Sequence, residues 1–278
     1  MSAKKTQEFF PPPVLPRTGV DAHAHLDDNR FREDLEQVVA RASAAGVAQI
    51  IQVFLGPDAW EQGREIFTAY PDIYFTLGIH PNEADTYDAA AENGIRDAVK
   101  SDTRIRAVGE IGLDYYRDTC PRRVQKEVFA KQLRLARELD LPVVIHCRDA
   151  EEDTLALLDA EGFAGYPLLW HCFGGDTHAA RRILTEGRHI SLPGPLTYPA
   201  NRDLRAAATE IPLNRLMTET DCPYLAPVPL RGRRNEPAWT AYVLAALAEA
   251  RNMPPADLWT ACGDNARRFF GIDRRAIE

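Results

Sequence analysis

The segment Gly19-Val20-Asp21-Ala22-His23-Ala24-His25-Leu26-Asp27 ends a short apolar run in two histidines one residue apart. A strand alternates its side chains, so an extended backbone here sends His23 and His25 to one face, where two neutral imidazoles make half a metal site. Core or exposed histidines also produce this spacing by chance. Its weight comes from downstream, where further apolar runs end in His80, Glu110, His146, His171 and Asp221. Of the 7 histidines only His178 and His189 fall elsewhere.

The donor types narrow the chemistry. Imidazole and carboxylate without thiolate suit Zn, Mn, Fe or Ni, and an oxygen-rich half suits Mg. Two divalent ions need a shared ligand, and Glu110 is the natural bridge, one oxygen to each. The expected sets are His23, His25, Glu110 and Asp221 for one ion, and Glu110, His146 and His171 for the other, with Zn, Mn or Mg as the ions considered. Ions about 3.5–4 Å apart would polarise both the attacked group and a bridging water, the source of a hydroxide nucleophile, which favours hydrolysis at phosphorus or carbonyl carbon. Asp221 is placed to take the proton from that water, so Asp221 and Glu110 are the expected catalytic residues.

The elements that must position these groups repeat along the chain. Val47 to Phe54, Ile73 to Gly78, Ile105 to Ile111, Leu141 to Ile145, Pro167 to Trp170, His189 to Leu192 and Arg215 to Thr220 read as strands after the first. Helical patterns cover Phe31 to Ala45, Pro57 to Ala69, Ala89 to Lys100, Pro121 to Leu139, a segment opened by Asp149 to Asp153, Thr177 to Thr185, Ala200 to Thr209, Pro237 to Ala250 and Pro255 to Phe270. Strand ends recur every 20 to 35 residues or so, as in one repeated βα unit. The expected fold is therefore α/β, a (β/α)8 TIM barrel over residues 18–278, with functional residues at the C-terminal ends of its strands.

Composition sets the outer limits. The chain has 278 residues, 45% of them hydrophobic and 27% charged, as in a soluble globular protein, and no apolar run approaches the roughly 18 residues of a membrane span. Residues 1–17 hold Phe9-Phe10 before Pro11-Pro12-Pro13 and lack a secretory core, so they read as an extended arm and the compartment as cytoplasmic. The 5 cysteines form no Cys-x-x-Cys pair, which argues against a disulfide framework. Cys147, Cys172 and Cys222 each follow a proposed ligand, and alternation makes them filler facing away. The formal net charge of -8 does not advertise a nucleic-acid binder, so a polyanionic substrate would need a local basic patch or metal ions.

The motifs Asp21-Ala22-His23-Ala24-His25, Gly78-Ile79-His80-Pro81, Gly109-Glu110-Ile111-Gly112-Leu113-Asp114-Tyr115, His146-Cys147-Arg148-Asp149-Ala150, His171-Cys172-Phe173, Glu219-Thr220-Asp221-Cys222-Pro223-Tyr224-Leu225 and Arg231-Gly232-Arg233-Arg234-Asn235-Glu236-Pro237 occur in this order. Together they resemble the TatD family of metal-dependent deoxyribonucleases, over nearly all of the chain after residue 18. The resemblance implies a TIM barrel of the amidohydrolase type, divalent metals at the positions above, and 3' to 5' exonuclease or related phosphodiesterase activity on DNA or RNA. Two positions depart from it: Asn82 stands where many members carry a second histidine, and Gly174 where serine is common.

Around the ligands, His80, Arg148, Arg231, Arg233, Arg234 and Tyr224 are the expected substrate contacts, the arginines for phosphates and the tyrosine for a base. Their plainer reading is a solvated loop, ion pairs with Glu236 and rim packing. Glu219, two residues before Asp221, is expected to anchor a histidine ligand or a loop arginine. Arg267 and Arg268 beside Phe269 and Phe270 should seal the C-terminal helix onto the barrel. The competing functions are hydrolysis of an ester or amide at carbonyl carbon, as in amidohydrolases, lactonases or aminoacyl-tRNA deacylases, and a non-catalytic metal-dependent scaffold. Neither a membrane nor an obligate protein partner is expected.

Overall fold

The computed structural model describes residues 11–117 and 119–273. Eight strands, β1 (Gly19–Ala24), β2 (Val47–Leu55), β3 (Ile73–Gly78), β4 (Ile105–Asp114), β5 (Val143–Arg148), β6 (Leu168–Trp170), β7 (His189–Leu192) and β8 (Leu216–Thr218), follow one another in a single sheet. Every neighbouring pair is parallel. The ring closes at its C-terminal end. Ala24 bridges to Cys222, the His25 N–H donates to the Cys222 carbonyl (2.8 Å), and the Asp221 N–H donates to the His23 carbonyl (3.0 Å). Below this seam the buried Asp21 carboxyl accepts the Thr220 N–H (2.9 Å) and hydroxyl (2.6 Å), tying the first strand to the last.

Helices α1 (Leu35–Ala44), α2 (Pro57–Gly63), α3 (Ala89–Ser101), α4 (Arg122–Glu138), α5 (Glu151–Ala160), α6 (Thr177–Leu184), α7 (Arg202–Glu210), α8 (Thr240–Arg251) and α9 (Pro255–Phe270) alternate with the strands. Local signals set their ends. Asp88 and Asp176 cap α3 and α6 through the Ala91 and Ala179 N–H groups, while α8 and α9 stop at left-handed Asn252 and Gly271.

Inside the ring, Val20, Ile51, Tyr74, Ala107, Val144, Leu169 and Met217 form one apolar layer, plugged by Ala266, Phe269 and Phe270 of α9. Arg267 fastens the plug as expected, donating to the Gln49 side chain (2.8 Å) and the Thr18 carbonyl (2.8 Å). A larger apolar layer separates strands from helices. The Trp259 indole lies so close to Gly19 that a Cβ there would fall 1.9 Å from it.

Several boundaries depart from expectation. The first helix starts at Leu35, because Asn29–Phe31 forms its own 3-10 turn capped by Asp28. The second becomes tighter after Gly63, and the last strand is shorter because Leu213–Arg215 turn after Pro212. Strand β4 continues to Asp114, beyond the expected Ile111, and β5 carries His146 within it. Of the arm at residues 1–17, residues 1–10 lie outside the described residues; Leu15 and Pro16 are pinned to Ala45 and Trp259. The five cysteines are free thiols. Among the described residues no helix is long and apolar enough to cross a membrane.

Candidate metal centre

Glu110, only 3% exposed, stands at the middle of the mouth. Its Oε2 faces His23 Nε2 (3.4 Å) and His25 Nε2 (3.9 Å) at the end of β1. Asp221 Oδ1 approaches the same two nitrogens at 3.8 and 3.4 Å, and they are 3.3 Å from each other. The other oxygen, Oε1, faces His146 Nδ1 (2.5 Å) on β5, His171 Nε2 (2.7 Å) beyond β6 and His80 Nε2 (3.6 Å) beyond β3. All six expected ligands therefore converge, with His80 beside them.

On the Oε2 side the separations fit a shared cation, whereas the 2.5 and 2.7 Å contacts of Oε1 with His146 and His171 are hydrogen bonds. Donors held at about 2.0–2.1 Å in a tetrahedral shell lie roughly 3.4 Å apart, close to what His23, His25, Asp221 and Glu110 Oε2 show. Four acceptor-capable groups crowded in a buried space, two of them carboxylates, repel unless protons or cations separate them. Imidazoles and carboxylates are the main donors, as a divalent-metal site requires. Cys172, expected to face away, instead brings its Sγ within 4.8 Å of donor atoms of His171 and Glu219, its left-handed backbone (φ 50°) breaking the alternation. Around Glu110 the His23 and His171 rings are stacked, centroids 3.9 Å apart.

Electrostatics follow from this crowding. Burial opposes ionisation of Glu110, but His171, His80 and His146 outweigh it and hold its pKa well below the ordinary value. Burial likewise disfavours the charged form of His171, yet Glu110 and Glu219 raise its pKa well above normal. His23, buried beside His171, is pushed down. Asp221 is kept below the usual carboxylate range, burial being overcome by the hydrogen bond and charge of His25. Burial is the main cause that takes His80 down to about 4.

A supporting layer holds these groups. Glu219, wholly buried, accepts the Cys172 N–H (2.6 Å) and the Ser191 hydroxyl (2.5 Å) and lies 3.6 Å from His171 Nδ1, beyond hydrogen-bond distance. His80 Nδ1 accepts the Asn82 N–H (3.1 Å), so the neutral ring carries its proton on Nε2, pointing into the site. Asp114, missed by the sequence reading, lies with Oδ2 3.2 Å from His146 Nε2. It is 1% exposed. Burial again opposes its ionisation; hydrogen bonds from His146 and from the Arg117 and Tyr116 N–H groups hold it below the ordinary range. The available signal was alternation, since Glu110, Gly112 and Asp114 share one face of a longer β4.

Buried side-chain amides, also unforeseen, suture the loops beneath the site. Gln132 of α4 accepts the Ile79 N–H (2.7 Å) and donates to the Ile79 carbonyl (2.9 Å), just before His80. One heptad earlier Gln125 does the same for Asp114, accepting its N–H (2.8 Å) and donating to its carbonyl (3.0 Å). Gln52 accepts the Leu26 N–H (2.6 Å) after His25, and Asn235 donates to the Thr220 (2.8 Å) and Tyr224 (2.7 Å) carbonyls on either side of Asp221.

The expected substrate contacts divide. Arg148 is exposed at the end of β5 with its guanidinium 3.8 Å from the Tyr116 ring centre, and Arg231 lies 4.5 Å from that of Tyr198. Tyr224 is 48% exposed, edge-on to His25 and covered by Arg30 at 4.5 Å. Arg233 is exposed. Arg234 is engaged elsewhere: both its terminal nitrogens bind Asp34 at 2.7 Å, and one also donates to the Arg30 carbonyl. Glu236 is the partner of Arg41 (2.7 Å) more than of Arg234 (3.9 Å).

A family model described as TatD related DNase matches residues 20–271. The chain is 37% identical over 255 residues to the uncharacterized metal-dependent hydrolase YabD of Bacillus subtilis (strain 168), covering 91% of this chain and 99% of that one. It is 35% identical over 257 residues to a protein of Cronobacter sakazakii (strain ATCC BAA-894) named 3'-5' ssDNA/RNA exonuclease TatD, covering 90% and 97%. Its fold is similar to the crystal structure of YJJV, a TatD homolog from Escherichia coli K12, with TM-score 0.86, 29% identity, and coverage of 92% and 99%.

Proposed function

The chain belongs to the TatD-related DNase family of metal-dependent hydrolases, and from that premise we propose that it cleaves phosphodiester bonds in DNA as a 3'-5' exonuclease using two divalent ions. The observation that carries this reading is Glu110 itself. One oxygen faces the His23 and His25 nitrogens while the other faces those of His146 and His171. A carboxylate so divided, buried and ionised, is the arrangement by which one side chain serves two cations.

His23, His25, Asp221 and Glu110 would hold the first ion, and Glu110, His146 and His171 the second. Bound there, divalent ions neutralise charge on a phosphoryl oxygen and acidify water for attack at phosphorus. The remaining work falls to side chains. Asp221, kept ionised beside His25, accepts the proton released as water attacks. His80, with its Nε2–H fixed inward by the Asn82 N–H at Nδ1, donates a hydrogen bond to a non-bridging phosphate oxygen. Arg148 and Arg231 supply positive charge at the rim of an otherwise acidic protein, and the exposed ring of Tyr224 supplies a stacking surface for a base. Glu219 keeps the loop after β6 in register beneath His171.

Metal-reconstituted protein should shorten a 5'-labelled single-stranded oligonucleotide progressively from its 3' end, and Glu110→Gln protein and chelator-treated protein should not. Parallel assay on an ester panel separates the reactions. Turnover confined to esters would replace this reading with attack at carbonyl carbon, and undiminished nuclease activity in Glu110→Gln protein stripped of metal would end it.

A further inference from the structure

We propose that Asp114 is a positioning residue that decides which nitrogen of His146 faces the cation. The inference rests on the metal-site reading above and is independent of the substrate. His146 is flanked on both sides: Glu110 Oε1 is 2.5 Å from Nδ1, and Asp114 Oδ2 is 3.2 Å from Nε2. A neutral imidazole has one donor and one acceptor nitrogen, so a cation that takes the nitrogen facing Glu110 leaves the single N–H on the other. Asp114 is the carboxylate placed to accept it there.

The reason lies in what surrounds Asp114. Its Oδ1 is filled by the N–H groups of Tyr116 (3.0 Å) and Arg117 (2.9 Å), and its backbone is gripped on both sides by Gln125. The carboxylate therefore cannot turn away, and Oδ2 stays directed at His146 with the Asn82 amide (3.4 Å) as the one further donor among the described residues. With Nε2–H directed at Asp114, Nδ1 is the nitrogen left to face a cation shared with Glu110. A carboxylate behind a liganding imidazole orients the ring and raises its basicity. Asn82, through its backbone N–H at His80 and its side chain at Asp114, links this assembly to the neighbouring loop.

The arrangement makes an unusual ordering of variants. In Asp114→Asn the amide oxygen must stay on the Tyr116 and Arg117 N–H groups, which turns the amide NH2 toward His146 Nε2. Donor then meets donor, and His146 relieves it by moving its proton to Nδ1, where it blocks the cation. Asp114→Ala leaves the ring free to adopt either tautomer. Zinc retention at the weaker position, measured by competition with a chromophoric chelator, should fall at least ~10-fold in Asp114→Asn and less in Asp114→Ala. A purely structural role gives the reverse order, because asparagine preserves shape, and that order would overturn the proposal. In the wild-type protein loaded with zinc, 15N NMR of labelled histidine should show a proton on Nε2 of His146 and a zinc-shifted Nδ1. Zinc on Nε2 would overturn it as well, whether or not the protein cleaves DNA.

Discussion

The imidazole of His23, at the end of the first strand, lies parallel to that of His171, beyond the sixth, with 9° between their planes and 3.9 Å between their centres. Each points its Nε2 at a different oxygen of Glu110, His23 at 3.4 Å and His171 at 2.7 Å. The two halves of the centre are thus in van der Waals contact through rings as well as joined through a carboxylate. Removing one ring takes away the wall that orients the other. His171→Ala is expected to lower occupancy of both cations, and elemental analysis after dialysis should find less than one ion per chain. Retention of a full single equivalent would show the halves to be independent.

The glutamine sutures predict an effect at a distance. Gln132→Leu leaves the buried Ile79 N–H and carbonyl without partners, a loss of about 2–4 kcal/mol in stability. Because Ile79 immediately precedes His80, kcat should fall as well, while metal content is kept. Urea denaturation, metal analysis and initial rates on one preparation test the three parts together.

The arginines should separate by function. Arg148→Ala is expected to raise KM for an oligonucleotide by ~3–10-fold and to reduce the salt slope of binding by about one, as loss of one phosphate contact does. Arg234→Ala should leave both unchanged and lower stability by about 0.5–1 kcal/mol, since its partner Asp34 is partly exposed. Equal effects of the two on KM would place Arg234 in the substrate path.

Away from the centre, His189 packs edge-on against Phe269 with centroids 5.2 Å apart. Burial first, and the charges of Arg215 and Arg268 next, lower its pKa to about 4. The unfolded chain takes up a proton near the ordinary histidine value and the folded chain resists until about pH 4. Its contribution is therefore complete above the unfolded pKa and is lost as pH falls through that window, by about 1–2 kcal/mol after allowance for partial exposure. His189→Leu should flatten this part of the stability profile. An unchanged profile by denaturant titration across the window would assign the dependence to other groups.

Much of the barrel was legible because its strands are buried on both faces and read as apolar runs. β3, β7 and α9 begin and end at the expected residues, and each candidate ligand was visible as a polar residue ending such a run. Asp114 was not, because β4 was ended at Ile111, which put the acid in a loop. The longer strand places it on the same face as Glu110. Gln125 and Gln132 were missed for another reason: on an amphipathic helix, glutamine looks like solvent-facing surface. Their spacing aligns them with Val128, Phe129 and Leu135 on the buried stripe. The pairing of Arg234 with Asp34 depends on two loops meeting across the closure of the ring, and no local pattern encodes it.

The seam between first and last strands has few rungs: the Ala24 to Cys222 bridge and the links of His23, His25 and Thr220 to their neighbours. His23 and His25 stand on one bank and Asp221 on the other. A cation gripped from both banks would act as a clasp, so the hoop cannot be opened along this line without first letting the ion go. Loading and unravelling would then be two readings of a single equilibrium.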